Sequence, residues 1–146
     1  MAARGKTEEE LRRLSVEMRY LEQTAETLQQ RISMVSAAIT DLTYANMALD
    51  GIEKEKENAE LLVPIGGSSY VKVKLADSNK VIVGIGAGVS VEKTLQEAKT
   101  ALKERLDELE KTLNSAQQQF AQVAERINTG RSRLETLLSG EKERKP

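Results

Sequence analysis

The sequence predicts a mainly α fold, in which two long helices pair as an antiparallel coiled coil and flank a β segment of two short hairpins. In two stretches, residues 7–58 and 90–139, apolar residues recur at alternating steps of three and four, which is the heptad pattern of coiled-coil helices. The two stretches have similar lengths, so each helix can cover the apolar stripe of the other. Between them, residues 59–89 contain short apolar runs at 61–65 and 81–85 and, at 70–75, apolar residues that alternate with lysines, all of which are typical of strands.

The composition argues against catalysis. The chain of 146 residues contains no Cys and no His, so it lacks thiol nucleophiles, Cys or His metal ligands and the usual general base at neutral pH. Its 22 Lys and Arg residues oppose 23 Asp and Glu residues, for a net charge of −1, which creates no long-range field for nucleic acid or an anionic membrane. We therefore expect a protein that is not an enzyme, without cofactor or metal and without nucleic-acid or membrane partners.

Targeting and membrane signals are also absent from the sequence. Residues 1–6 lead directly into acidic residues without an apolar core, unlike a signal peptide. A membrane-spanning helix needs about 20 mostly apolar residues, and the sequence contains no such run. The expectation is a soluble, cytoplasmic protein that folds as one unit.

The first helix is expected to span residues 7–58. Thr7 offers a hydroxyl N-cap, and Glu10 is placed three residues later to complete a capping box. Gly51 could end the helix, but the alternating charges after it favour continuation to Asn58. The predicted a and d positions of this helix, which form its half of the seam, are Leu11, Leu14, Met18, Leu21, Ala25, Leu28, Ile32, Val35, Ile39, Leu42, Asn46 and Leu49.

The second helix is expected to span residues 90–139 and to precede a charged tail at residues 140–146. Ser90 is a good N-cap, and Glu92 suits the first turn. Its half of the seam consists of Leu95, Ala98, Leu102, Leu106, Leu109, Leu113, Ala116, Phe120, Val123, Ile127, Gly130, Leu134 and Leu137. Gly130 in this series permits either a close approach of the helices or flexibility.

The segment between the helices is expected to form four short strands, at residues 61–65, 70–75, 81–85 and 89–91. Such small hairpins are marginal in water, and no other layer of this chain is available to cover them. Their partner is therefore expected to be another chain. The residues predicted to make this oligomerisation contact are Leu62, Val63, Ile65, Tyr70, Val71, Val73, Leu75, Val81, Ile82, Val83 and Ile85.

The base of the first helix carries apolar residues outside the seam, which we expect to dock against the β segment. They are Tyr44, Ala45, Met47, Ala48 and Ile52. Asn46, at an a position, is interpreted either as a register device or as a contact at this base.

The glycine-rich residues 84–88 superficially resemble a dinucleotide-binding loop. The third glycine comes one residue early, however, and no second strand follows to complete a βαβ unit. A turn or a β-bulge is therefore the favoured interpretation.

Taken together, these features resemble the alpha-class subunit of prefoldin over nearly the full chain. The resemblance is carried by Leu-Val-Pro-Ile-Gly at 62–66, by Ser-Tyr-Val at 69–71 and by Val-Ile-Val-Gly-Ile-Gly-Ala-Gly-Val-Ser-Val-Glu-Lys at 81–93, between two matched heptad helices. An insert with two hairpins is that of the alpha class, whereas the beta class has a shorter insert with one.

The resemblance implies a hexamer of two alpha-class and four beta-class subunits, whose hairpins join into a β-barrel while the coiled coils hang from it. It also implies capture of unfolded polypeptides at the coiled-coil tips without ATP, and their delivery to a group II chaperonin. Because coiled-coil ends fray and lack a full set of neighbours, the residues expected to bind clients lie at the tips. They are Leu11, Leu14, Met18, Leu134, Leu137 and Leu138.

Two alternatives remain open at the level of the sequence. The tip leucines could merely close the seam, and the chain would then be a structural coiled-coil module for oligomerisation or tethering that binds no client. The exposed hairpin edges could also pair into oligomers other than the hexamer.

Overall fold

The computed structural model describes residues 2–143, with side chains described for residues 5–140. It confirms two long helices around two antiparallel hairpins. Helix α1 spans Ala2–Glu53 and helix α2 spans Leu95–Glu143. Hairpin 1 consists of β1 (Glu60–Gly66) and β2 (Ser69–Lys74), and hairpin 2 consists of β3 (Lys80–Gly86) and β4 (Val89–Thr94). In the described part of the chain, neither helix is long and apolar enough to cross a membrane.

Helix α1 is displaced towards the N-terminus relative to its predicted span. It includes Ala2 to Lys6, because Ala, Arg and Lys are strong helix formers that outweigh the one glycine among them. It ends at Glu53 and not at Asn58, which has a positive φ of 66°. The Asn58 N–H donates instead to the carbonyl of Leu75, at 2.8 Å. The chain therefore enters hairpin 1 where a longer helix was predicted.

Helix α2 begins later than predicted. Ser90, the predicted N-cap, lies in β4 opposite Gly84 of β3, and β-branched residues such as Val89 and Val91 favour this strand. The cap is Thr94, whose Oγ1 accepts a hydrogen bond from the Glu97 N–H at 3.2 Å. At the other end the helix continues through residues 140–143, predicted as the start of a charged tail. The rest of that tail, residues 144–146, lies outside the described residues.

The two hairpins are structural repeats displaced by 20 residues, as their bounds show. Val63 pairs with Val71 in hairpin 1, as Val83 pairs with Val91 in hairpin 2. Each hairpin has a register shift at the same place, just before its turn. Equivalent residues therefore occupy equivalent positions, and their environments can be compared directly.

Each hairpin closes through a two-residue turn with positive φ at both residues. These are Gly67 (56°) and Ser68 (59°) in hairpin 1, and Ala87 (52°) and Gly88 (75°) in hairpin 2. Such primed turns match the right-handed twist of the strands. The interpretation of residues 84–88 as a bulge and turn is thereby confirmed.

The chain divides into two compact units. The first contains residues 1–36 and 111–146, where Met18, Leu21 and Ile127 form a buried cluster. In this unit Arg133 Nη2 lies 2.8 Å from Glu10 Oε1, and Arg126 Nη2 lies 3.2 Å from Glu17 Oε1. The two ion pairs are one heptad apart on both helices and run in opposite directions, so the helices are antiparallel.

The second unit contains residues 37–110. Its core consists of Leu49, Val83, Leu95 and Ala98, with Ile52, Val81 and Leu102 packed against it. One face of hairpin 2 is thus fixed on the two helices, and Arg105 Nη2 also donates to the carbonyl of Gly84 at 2.8 Å.

An ion cluster stands beside this core. Lys99 Nζ bonds to a carboxylate oxygen of Glu53 and lies 2.9 Å from Asp50 Oδ1, while Gln96 Nε2 donates to Glu53 Oε1 at 2.9 Å. The hydrogen bond from Lys99 lowers the pKa of Glu53, and the same bond raises the pKa of Lys99. The Glu53 carboxylate and the Lys99 ammonium are both solvated, so the cluster orients the helices more than it stabilises them.

Every predicted seam position in both helices is buried or half-buried, which confirms the heptad assignment. The expected docking of the helix base is correct only in part. Ile52 packs against the core of the second unit, whereas Tyr44 and Met47 are exposed. Counted from Leu11 as an a position, these two residues fall at f and b, on the side of the helix that faces away from the seam.

The repeat provides a test of how hairpin 2 is held. We expect Val83→Ala to lower the free energy of unfolding of the isolated chain by about 1–2 kcal/mol, because it removes two buried methyl groups. Val63→Ala, the equivalent change in hairpin 1, removes the same atoms from an exposed position and should have less than half this effect. Urea denaturation followed by circular dichroism measures both, and equal losses would contradict the assigned core.

Candidate assembly and client-binding surfaces

The residues predicted to mediate assembly differ in their exposure. Val83 is 4% exposed and packs inside this chain, so it is not available to a partner in this structure. Val73, Leu75 and Val81 are half-buried. The others are exposed, namely Leu62, Val63, Ile65, Tyr70, Val71, Ile82 and Ile85.

Hairpin 1 exposes apolar side chains on both faces. One face carries the directly opposed pair Val63 and Val71, each 43% exposed. The other face carries Pro64 opposite Tyr70, next to Leu62. In hairpin 2 the position equivalent to Val63 is the buried Val83, so the two copies of one motif differ tenfold in exposure. Hairpin 1 therefore has an apolar surface that its own chain leaves uncovered.

The hairpins also present unpaired backbone. In the described residues each sheet has only two strands, in the orders β1–β2 and β3–β4. Every strand consequently has one edge whose N–H and C=O groups lack a strand neighbour, and such edges readily accept a further strand. The apolar faces and open edges together form a surface suited to assembly by strand addition.

The structure brings part of the predicted client-binding set together in the first unit. Leu14 and Leu134 pack against the cluster that contains Met18. Met18 itself is only 5% exposed, so the prediction that it presents a client-binding surface is not supported by its position in this structure. Leu11 and Leu137 are half-buried, and Leu138, outside the seam, is 50% exposed.

Gly130 explains why Met18 is buried so closely. A Cβ atom added at Gly130 would lie 2.3 Å from Met18 Sδ, which is far inside van der Waals contact. The glycine thus provides space for the methionine side chain between the helices. Of the two interpretations of Gly130 left open by the sequence, close approach is the one that the structure supports.

Several exposed apolar residues of α1 were not predicted as site residues. They are Val16, Tyr20 and Met34. All three lie outside the a and d positions, and a search of the remaining heptad positions for large apolar side chains would have identified them. The described part of α2 has Leu138 as its only large apolar residue of comparable exposure.

In the described residues, no group of three or more Asp and Glu side chains is arranged to hold a metal ion. The exposed surfaces in this part of the chain include hairpin 1, Ile82 and Ile85 of hairpin 2, the open strand edges and the apolar side chains near the ends of the helices.

Comparison with known proteins identifies the family. The model of the prefoldin subunit family matches residues 21–139, which cover most of α1, both hairpins and most of α2. The chain belongs to the prefoldin family. Prefoldin subunits are chaperone subunits and form no known enzyme class, so membership assigns the chain a chaperone role.

Prefoldin alpha subunits are among the proteins similar to this chain. Prefoldin subunit alpha of Methanococcoides burtonii is 32% identical over 83% of this chain and 88% of that protein. Prefoldin subunit alpha of Methanosarcina mazei is 33% identical over 88% of this chain and 89% of that protein. These relatives and the two hairpins assign the chain to the alpha class of prefoldin.

Solved prefoldin structures have the same fold. Filamentous PFD from Methanocaldococcus jannaschii matches with a TM-score of 0.65 at 24% identity, covering 76% of this chain and 92% of that one. The prefoldin beta subunit from Thermococcus strain KS-1 matches with a TM-score of 0.59 at 19% identity, covering 94% of this chain and 95% of that one.

The close packing of Gly130 and Met18 in this prefoldin chain can be tested directly. Gly130→Ala should gain about 1 kcal/mol in helix propensity but lose about 1–3 kcal/mol through overpacking, and we expect a net loss of stability in thermal unfolding. Gly51→Ala is the control, because a Cβ there meets nothing within 4 Å, and it should not destabilise the protein.

Combining Gly130→Ala with Met18→Ala should lower the stability by less than the sum of the two single changes. Strict additivity of the two losses would contradict the contact between Gly130 and Met18.

Proposed function

We propose that this chain is the alpha-class subunit of an ATP-independent holdase, which captures unfolded polypeptides at the tips of its coiled coils. In this proposal two such chains assemble with four beta-class subunits, and the hairpins of all six join into a β-barrel body. The observation that carries the proposal is the uncovered hairpin 1, because Val63 is exposed where its counterpart Val83 is buried. A subunit designed to function alone would not retain such a surface.

Capture of clients is assigned to the apolar residues near the free ends of the helices. Leu138 is half exposed, and Leu11 and Leu137 are half-buried, so each retains apolar area that a client could cover. Full burial of one such side chain is worth about 1.5–3 kcal/mol, which makes a single tip a weak binder. Six tips acting on one client would gain affinity through effective concentration and still release it.

The captured polypeptide would pass to a group II chaperonin, and the assembly would act in the cytoplasm. Both parts of the proposal come from membership of the prefoldin family. Capture of the client requires no nucleotide, because it uses only apolar contact.

A structural role is the second candidate. It is favoured by the burial of Met18 and by the packing of Leu14 and Leu134 against it, because these residues close the seam and need no client. In that case the chain would oligomerise or tether through its hairpins, and its tips would bind nothing.

The two candidates are separated by a client assay on the assembled protein. The chain is mixed with a beta-class prefoldin subunit, native mass spectrometry checks for a complex of two alpha and four beta chains, and light scattering follows aggregation of a chemically denatured enzyme without nucleotide. We expect suppression of aggregation. Leu138→Ser should weaken it, and Leu11, Leu14, Leu137 and Leu138 changed together to Ser should weaken it further.

The control for these variants is Met34→Ser, which removes an exposed apolar side chain away from the helix ends and should leave suppression intact. Failure of the wild-type complex to suppress aggregation would contradict the holdase. Suppression that survives the fourfold change would contradict the tip assignment. Complexes of another composition would contradict the proposed stoichiometry.

A further inference from the structure

An exposed apolar pair lies on α1 in the first unit, outside the seam. Val16 is 64% exposed and Tyr20 is 68% exposed. Residues four apart are neighbours on one helix face, so the two side chains form a single small patch. The f and c positions that they occupy, counted from Leu11 as an a position, usually carry polar residues in a two-stranded coiled coil. Seam packing therefore does not account for apolar side chains at these two positions.

Three exposed arginines surround this patch, namely Arg12, Arg13 and Arg19. None of them forms an ion pair within the described residues, and neither does Glu9, which lies one turn before Arg13. Three other glutamates of α1 are paired with arginines of α2, in the pairs Glu10–Arg133, Glu17–Arg126 and Glu22–Arg131. We call the group formed by Arg12, Arg13, Val16, Arg19 and Tyr20 the arginine strip.

We propose that the arginine strip binds short segments of unfolded client in which acidic side chains flank an apolar one. The guanidinium group suits this task, because it pairs with carboxylates through two parallel hydrogen bonds and is weakly hydrated. Val16 and the Tyr20 ring would cover the apolar side chain between the carboxylates. The inference deepens the proposed holdase function, on which it rests, by giving one subunit a preference among client sequences.

The length of the arginine strip determines how long a client segment it can bind. From residue 12 to residue 20 a helix rises about 12 Å, which equals roughly four residues of extended polypeptide. A client segment with one large apolar residue and two or three acidic residues would therefore occupy it fully.

The strip is better suited to a client than to a stable protein partner. Specific interfaces bury about 1,200–2,000 Å² in total, and five side chains on one helix face offer far less. The strip also lies along the same turns of α1 as Leu11 and Leu14, which the proposed function assigns to the tip. A client held at the tip could thus contact the strip at the same time, and the two weak contacts would reinforce each other.

The test uses the full chain assembled with a beta-class prefoldin subunit and three fluorescent peptides. The peptides share one set of Leu and Phe residues and carry Glu, Gln or Lys at the flanking positions. We expect the wild-type complex to bind the Glu peptide about five- to tenfold more tightly than the Gln peptide in low salt, given the modest strength of each exposed pair. The Lys peptide should bind most weakly, and the difference between Glu and Gln should vanish at about 0.5 M salt through screening.

Two matched variants locate the preference. Arg12, Arg13 and Arg19 changed together to Gln should abolish the preference for Glu and leave binding of the Gln peptide unchanged. Arg31, Lys103 and Lys111 changed together to Gln remove the same charge from exposed positions elsewhere and should leave the preference intact. Val16→Ser with Tyr20→Ser should weaken binding of all three peptides.

The outcomes distinguish this inference from the proposed function. Binding of the Glu and Gln peptides with equal affinity would overturn the arginine strip while supporting the holdase. A preference that survives in the strip variant, or that is lost equally in the control variant, would also overturn it. No binding of any peptide to the wild-type complex would overturn both.

Discussion

Burial of the a and d side chains between α1 and α2 is the interaction on which the rest of the structure depends. A buried Leu, Ile or Met contributes about 1.5–3 kcal/mol, whereas an exposed ion pair contributes about 0.2–1 kcal/mol. The apolar seam therefore supplies the stability, and the charges decide how the helices are arranged. Glu10 and Glu17 precede a positions of α1, and their partners Arg133 and Arg126 precede a positions of α2. Such pairing between equivalent flanking positions fits antiparallel helices, and it fixes their register one heptad at a time.

The two equivalent hairpins differ in how far the helices cover them, and this difference connects the structure to function. Val83 of hairpin 2 packs against Leu49, Leu95 and Ala98, so the helices of the same chain cover one face of this hairpin, while its Ile82 and Ile85 remain exposed. Hairpin 1 has the same register, the same bulge and the same type of turn, but the chain provides no helix face for it. The hairpin is thus present twice, whereas the helix surface that covers its valine pair is present once. An apolar hairpin face left uncovered in this way is a physical reason for the subunit to assemble with other chains, which agrees with membership of the prefoldin family.

The sequence predicted the seam and the strands because both depend on patterns that many residues share. Its errors lie where single residues with competing preferences decide. Ser90 has the chemistry of an N-cap, but the β-branched residues around it extend β4, and Thr94 becomes the cap. Asn58 could have continued a charged helix, but its backbone bonds to Leu75 instead. Both outcomes depend on strand pairing across the turn, which local sequence does not encode.

The candidate sites were predicted less completely for a related reason. A heptad pattern shows which side chains face a seam but not how deeply each is buried. The close contact of Met18 with Gly130 depends on which residues of the two helices lie opposite each other. The arginine strip lies at positions that the heptad pattern assigns to solvent. That its arginines form no ion pair among the described residues can be recognised only once the partners of the neighbouring glutamates are known.

The central claim is that the seam is satisfied within one chain while hairpin 1 is not. Amide hydrogen exchange, measured by mass spectrometry on the isolated chain and after addition of a beta-class prefoldin subunit, tests it most directly. The account predicts slow exchange in the middle of both helices before and after addition. Hairpin 1 should exchange rapidly in the isolated chain and slow by at least tenfold on assembly. Equal protection of both hairpins in the isolated monomer, or no change in hairpin 1 when the partner binds, would contradict it.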